Sequence, residues 1–260
     1  MDSNTTQTQS PPSNPLNPHH NLKLVPLTPT EHLDDFWEIW REERGVIWSY
    51  VFFSSSTYFL LFFFLLSLFC FFFPYKSMRE GKGGMSNLIL TKWGEYRRQA
   101  PMKTKEEALE FLKYILPRTE QNPGGEAVGI DKFAILVEGE GEGDRPKCVG
   151  FVGTNRPSPE GLEMGYCVNP DYYGNGYATW GVTEFLKIYW GMEERSHIPH
   201  LVAKIDPRNK ASERIIAKVG ARKGEVLENF YSRRIDEGKL SDIRCWYLDR
   251  PRVGGEGEGK

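Results

Sequence analysis

The chain has 260 residues, with 33 Lys and Arg against 35 Asp and Glu, for a formal net charge of −2. That balance lacks the basic excess expected of a protein that binds nucleic-acid phosphates. The four cysteines Cys70, Cys148, Cys167 and Cys245 are too few and too scattered for a disulfide scaffold or a Cys-x-x-Cys metal site. Their spacing speaks for a reducing compartment, and the expected location is cytoplasmic.

In chain order, residues 1–21 form a Ser/Thr/Asn/Pro-rich tail that cannot bury a core and reads as disordered. Leu22–Leu27 reads as a short strand. Thr28 or Thr30 then caps a helix that tolerates Pro29 in its first turn, with Leu33, Phe36, Trp37 and Trp40 on one face. A Phe-rich hydrophobic insertion follows at 45–76. Its stretch from Gly45 to Tyr75 carries no charge and holds ten of the sixteen Phe. Three readings are open. It is long enough for a membrane helix, which needs roughly 20 apolar residues. It could be a buried core segment, although it lacks an alternating polar face. It is also what pyrimidine-rich DNA encodes, as a translated intron would. Basic residues flank both sides, so the charges set no orientation.

Without the tail, the insertion and the short polar end at 253–260, about 200 residues remain, enough for one domain over 22–252. Thr104 and Glu107 have capping-box spacing at the start of a second helix, with Ala108, Phe111, Leu112 and Ile115 as its apolar stripe. Strands at Lys132–Glu138 and Lys147–Gly153 pair across an acidic Gly-rich turn. A strand at Leu162–Asn169, a helix from Gly176, a strand HLVAKID, a helix NKASERIIAKVG and strands near Glu225–Ser232 and Ile243–Asp249 complete the order. A strand–helix–strand unit after an antiparallel meander demands one parallel crossover. The fold class is therefore α/β (α+β), a mixed sheet of about six to seven strands flanked by about four helices.

The informative stretch is Glu163–Ala178, EMGYCVNPDYYGNGYA. A strand ends before Pro170, and Gly174 and Gly176 bracket Asn175 at a helix entrance. Such an entrance offers unsatisfied N–H groups and a partial positive charge to an anion. By spacing alone, a structural turn remains the alternative.

Gly165–Thr179 (GYCVNPDYYGNGYAT), followed by Asp206–Ser212 (DPRNKAS) and Lys218–Ala221 (KVGA), resembles the core of the GCN5-related N-acetyltransferase (GNAT) superfamily, most closely its RimJ/RimL-like branch. The resemblance implies a GNAT fold and acetyl-CoA as co-substrate, with no metal. It implies that backbone groups of Cys167 and Val168 hold the pantetheine arm. Those around Tyr173, Gly174, Asn175, Gly176, Tyr177 and Ala178 would hold the pyrophosphate, and Asn209 would contact the cofactor. Ser212 matches a position where relatives place a hydroxyl near the sulfur. The chain departs from the family at Asp171, at Trp180, where the branch has Glu, and at Ile216, where many relatives carry a Tyr acid. Glu163, on the central strand, is the candidate base. Tyr166 reads as packing, and Cys167 as a small buried residue rather than a nucleophile.

The expected activity is acetyl transfer to a primary amine, either a protein N-terminus or a small molecule, by direct attack on the thioester. The alternatives are a non-catalytic acyl-CoA-binding module and, if 45–75 is genuine, a membrane-anchored acetyltransferase. The expected partner is the amine acceptor, with no nucleic acid, and a membrane only through 45–75.

Overall fold

The computed structural model describes residues 21–48, 100–120, 122–123, 125, 130–139, 143–232, 236 and 239–251. Residues 1–20 of the expected tail, the Phe-rich run from Ser49 onward, the connector up to residue 99 and the C-terminal end lie outside these. The elements run β1 (Leu22–Pro26), α1 (Pro29–Trp40), α2 (Glu43–Val46), α3 (Lys105–Ile115), β2 (Lys132–Val137), β3 (Lys147–Ser158), β4 (Gly161–Val168), α4 (Tyr177–Gly191), β5 (His200–Ile205), α5 (Lys210–Lys218), β6 (Arg222–Ser232) and β7 (Leu240–Asp249). They build one seven-stranded sheet in the order β1-β2-β3-β4-β5-β7-β6. Every neighbouring pair is antiparallel except β4 and β5. The expected mixed sheet is the one observed, and the elements follow the expected order with the short helix α2 added.

Alternation along the strands sends their side chains into two layers. On one face Ala134, Leu136, Cys148 and Phe151 pack beneath α1 and α3 with Phe36, Ile39 and Leu112. On the other, Ile135, Val149, Val152, Met164 and Val168 pack against Val182, Phe185 and Tyr189 of α4 and Ile216 of α5. Ile216 is fully buried there, so the residue standing where relatives carry a Tyr acid is a core residue.

The buried face of α1 differs from the expected stripe. Leu33 and Trp37 are only partly buried, whereas His32 and Asp35 are buried. Asp35 earns that place by bonding. Its Oδ2 accepts from the Cys148 N–H at 2.9 Å, and its carboxylate meets Lys147 at 2.8 Å and Arg145 at 3.0 Å. A paired, hydrogen-bonded carboxylate is the form in which a charge tolerates burial, and here it fixes α1 on β3. On α3 the expected Thr104 cap is present, accepting from the Glu107 N–H at 3.3 Å. Glu107 reaches back one residue further than a capping box requires, to the Lys103 N–H at 2.8 Å.

β3 runs five residues beyond the expected end at Gly153, through Asn155-Arg156-Pro157. These residues carry turn chemistry. They remain in the strand because the register shifts between Thr154 and Pro157, and a bulge is where a strand tolerates Pro. His200 is half-buried, and its Nε2 meets the Glu160 carbonyl at 2.9 Å.

The domain's first part extends past the expected start of the insertion. Gly45 and Val46 lie in α2, and Val46 is buried. A Cβ at Gly45 would sit 1.9 Å from the Ile39 carbonyl oxygen, so only glycine fits. On the far side of the insertion, the Met102 N–H donates to the Trp40 carbonyl at 2.8 Å, and the Trp37 indole donates to the Met102 carbonyl at 3.2 Å. The chain is thus stitched together across it.

Candidate active site

The parallel ladder between β4 and β5 holds for two residue pairs only, Leu162 with Leu201 and Glu163 with Val202. Beyond Glu163 the strands part, while β4 stays paired to β3 as far as Val168. The backbone groups of Gly165–Val168 that turn toward β5 therefore have no ladder partner there. The opening continues into a cleft of about 600 Å³ lined by the ends of β4 and β5, the entrances of α4 and α5, and side chains from α1 and α3. Of the residues singled out from the sequence, Glu163, Cys167, Val168, Tyr173, Gly174, Gly176, Tyr177, Ala178, Asn209 and Ser212 all line it. Asn175 is not among the lining residues. Its Nδ2 donates to the Tyr172 carbonyl at 3.2 Å, which shapes the turn.

That turn gives α4 an entrance unlike those of the other long helices. Gly174 and Gly176 have φ of +85° and +79°, a region glycine enters without the cost other residues bear. A Cβ at Gly174 would meet nothing within 4 Å, so it would project into open space. Gly176 is the N-cap and offers no capping side chain. The first helical hydrogen bond is Trp180 N–H to Gly176 carbonyl, so the N–H groups of Ala178 and Thr179 have no partner within the helix. No acidic residue sits in this first turn, whereas α1, α3 and α5 each carry at least one. An uncapped, acid-free helix start favours an external anion, and this cradle fits the pyrophosphate of acetyl-CoA.

The opposite wall is the loop Asp206–Asn209 and the start of α5. Asn209 is its N-cap, and Oδ1 accepts from the Ser212 N–H at 3.1 Å. The loop is braced from behind. The Asp206 carboxylate accepts from the Tyr231 hydroxyl and from Arg208 Nη2, each at 2.6 Å. Arg208 also reaches Asp236 at 3.2 Å and Ser241 at 2.7 Å. Burial works against the charge of Asp206, but the bonds from Arg208 and Tyr231 outweigh it and hold the carboxyl below the usual aspartate range. The sequence motif had shown Asp206 and Asn209 without this brace, because Tyr231, Asp236 and Ser241 come from a distant hairpin.

Tyr166 and Ser212 both line the opening. The Tyr166 hydroxyl donates to the Ser212 carbonyl at 3.2 Å, crossing from β4 to α5. Burial pushes the Tyr166 phenol up to about 12, so it is a neutral donor. The sequence alone reads it as packing. The signal available was its position between Gly165 and Cys167, on the face opposite Glu163. Cys167 shares the cleft, but burial raises its thiol to about 12, which leaves no thiolate at neutral pH.

Glu163 is buried on the α1/α3 side of the sheet. Its Oε1 meets Lys204 Nζ at 2.9 Å and its Oε2 lies 3.7 Å from Arg156 Nε. Lys204 also pairs with Glu160 at 2.7 Å. Burial pushes the Lys204 ammonium down, but these two carboxylates more than reverse that and keep it charged. A lysine in the apolar strand HLVAKI was the sequence signal for a buried partner. Among the described residues no group of three or more metal-ligating side chains occurs, and no helix is long and apolar enough to cross a membrane.

The splayed sheet thus opens beside a glycine-rich helix start. The chain belongs to the acetyltransferase (GNAT) domain family, whose sequence profile matches residues 87–222. Among solved structures it is similar to a protein of Acinetobacter baylyi ADP1 assigned as an acetyltransferase, at 15% identity and TM-score 0.50, covering 88% of this chain and 91% of that one. It is also similar to a spermidine N-acetyltransferase of Vibrio cholerae in complex with CoA and spermine, at 11% identity and TM-score 0.51, covering 88% and 96%. At these identities the likeness shows the fold. A RimL ribosomal L7/L12 α-N-protein acetyltransferase in complex with coenzyme A reaches TM-score 0.46 at 14% identity over 62% of this chain and 83% of its own, too loose to place the chain in that branch. No curated protein matches the chain by sequence.

Proposed function

We propose that the protein is an acetyl-CoA-dependent N-acetyltransferase acting on a primary amine, a protein N-terminus or a small molecule, by direct attack on the thioester. One observation carries this reading: the two-pair β4–β5 ladder opens beside a helix start that is uncapped, free of acid and preceded by two left-handed glycines. Acetyl-CoA supplies an acetyl group activated as a thioester. The chain's own groups bind, orient and move protons around it.

In this reading the N–H groups from Tyr173 to Ala178 hold the pyrophosphate, and the open edge of β4 at Cys167 and Val168 holds the pantetheine arm as a further strand would. Asn209 spends its carbonyl oxygen on the α5 cap, so its contribution to the cofactor comes through the amide NH₂ and through placing the loop. Backbone N–H groups at the splay face the oxygen on which charge develops. Ser212 and Tyr166 place two hydroxyls in the same opening, where either can return a proton to the departing sulfur.

Glu163 is the carboxylate on the acceptor side of the cleft, and it receives the amine proton directly or through water. Both of its oxygens are engaged by cations, so a proton delivered there competes with those ion pairs.

The test is calorimetry with acetyl-CoA followed by mass-spectrometric detection of acetylated product from an amine panel. Binding with product supports the reading. Binding without product from any amine leaves a non-catalytic acyl-CoA module, and no binding rejects both.

A further inference from the structure

The cleft is lined from both faces of the sheet, and its two sides differ. On the α4/α5 side lie the glycine turn, Asn209 and Ser212. On the α1/α3 side the lining is aromatic: Trp40, Trp48, Phe111, Tyr114 and Phe151. Trp40, Phe111 and Phe151 pack together as one cluster, and Tyr114 and Trp48 line the same side of the cleft. Trp40 packs edge-on to Phe111 at 5.2 Å between centroids and stacks with Phe151 at 6.1 Å. Trp40 and Phe151 are buried, whereas Trp48 is 36% exposed at the rim.

The charged groups on this side of the cleft are mostly cationic. Lys132, Arg156 and Lys204 line it against the carboxylate of Glu163, which is itself held by Lys204 and Arg156. A polycation entering here meets like charges and the carboxylates of Glu163 and Glu160, both already engaged by Lys204. Desolvating it without new partners is costly. A flat apolar body meets rings, and burying one aromatic group is worth about 1.5–3 kcal/mol, roughly a ten- to hundredfold gain in affinity.

We propose that the acceptor is a monoamine carried on an aromatic or similarly flat apolar body, and that polyamines are poor substrates. This rests on the acetyltransferase reading and names the substrate class of that same site. Trp48 is the specificity-determining residue at the rim.

The experiment first measures acetyl-CoA binding to the full chain by calorimetry. It then measures kcat/KM with tryptamine, tryptophan, ethanolamine and spermidine as probes. The expected result is that tryptamine, tryptophan or both exceed spermidine and ethanolamine by about tenfold or more. Comparing tryptamine with tryptophan tells whether the body also carries a carboxylate. Trp48→Ala should raise KM for the preferred aromatic amine by about fivefold or more, with a smaller change in kcat, and Trp48→Phe should restore most of it. Spermidine or ethanolamine turned over as well as the aromatic amines, or acetyl-CoA bound with neither aromatic amine acetylated, overturns the proposal and leaves cofactor binding standing. Absence of acetyl-CoA binding overturns the acetyltransferase reading and this proposal with it.

Discussion

The residues of the opening divide the chemistry between two protons, one leaving the amine and one reaching the sulfur. Ser212→Ala should lower kcat while changing acetyl-CoA affinity by less than about twofold if its hydroxyl acts on the leaving group. Tyr166→Phe, made alone and with Ser212→Ala, tells whether the two hydroxyls substitute for each other. A double variant no slower than either single one would show that they share one role. Glu163→Gln should abolish the low-pH limb of the kcat/KM profile if that carboxylate takes the amine proton. An unchanged limb would assign the step to water. Legibility at this scale was uneven. Glu163 and Ser212 could be named because the strand and the motif that carry them are local. Lys204 and Arg156 as partners of Glu163 could not, because a β4–β5 register and a bulge in β3 set those contacts, and a linear pattern encodes neither.

At the scale of elements, the cofactor wall depends on how the loop before α5 is held. Asn209→Ala removes the α5 cap and should cost about 1 kcal/mol of stability, read as a lower thermal midpoint, together with weaker acetyl-CoA binding. Asp206→Asn should cost more, about 1.5–3 kcal/mol, because a buried charged acceptor loses its charge-assisted bonds. The sign of its pH dependence follows from the depressed carboxyl. A group with a lowered folded-state pKa stabilises above its unfolded value and loses that contribution as pH falls through the folded one. Wild type and Asp206→Asn should therefore differ at neutral pH and converge below the ordinary aspartate value of 3.8. Urea melts at both pH values check this, and a constant difference would contradict it. Helices and strands were legible as a sequence of elements because apolar periodicity is local. The buried face of α1 was not, since Asp35 is drawn inward by the Cys148 N–H and by Lys147, partners more than a hundred residues away.

For the molecule as a whole, the seven strands and five helices among the described residues close around two apolar layers using residues on either side of the Phe-rich run. Trp40 and Met102 are joined by a backbone hydrogen bond across it. A chain lacking 49–75 should accordingly be more soluble, unfold cooperatively and bind acetyl-CoA as the full chain does. A folded deletion that no longer binds would show that the run contributes to the site. The deletion starts at 49 because Val46 is buried and Trp48 lines the cleft. The sequence placed that boundary a few residues early, since the apolar run GVIW reads continuously into the Phe-rich stretch.

The central claim is that main-chain groups at the start of α4 hold acetyl-CoA, and calorimetric titration of three proteins tests it most directly. The wild type should bind one equivalent. Gly176→Val forces a branched residue to φ near +79°, at a cost on the order of 1–3 kcal/mol, and should weaken binding about tenfold or more while circular dichroism shows the fold retained. Asn175→Ala, outside the lining, should bind within about twofold of wild type. A folded Gly176→Val protein with wild-type affinity, or a wild type that does not bind acetyl-CoA at millimolar concentration, would contradict the account.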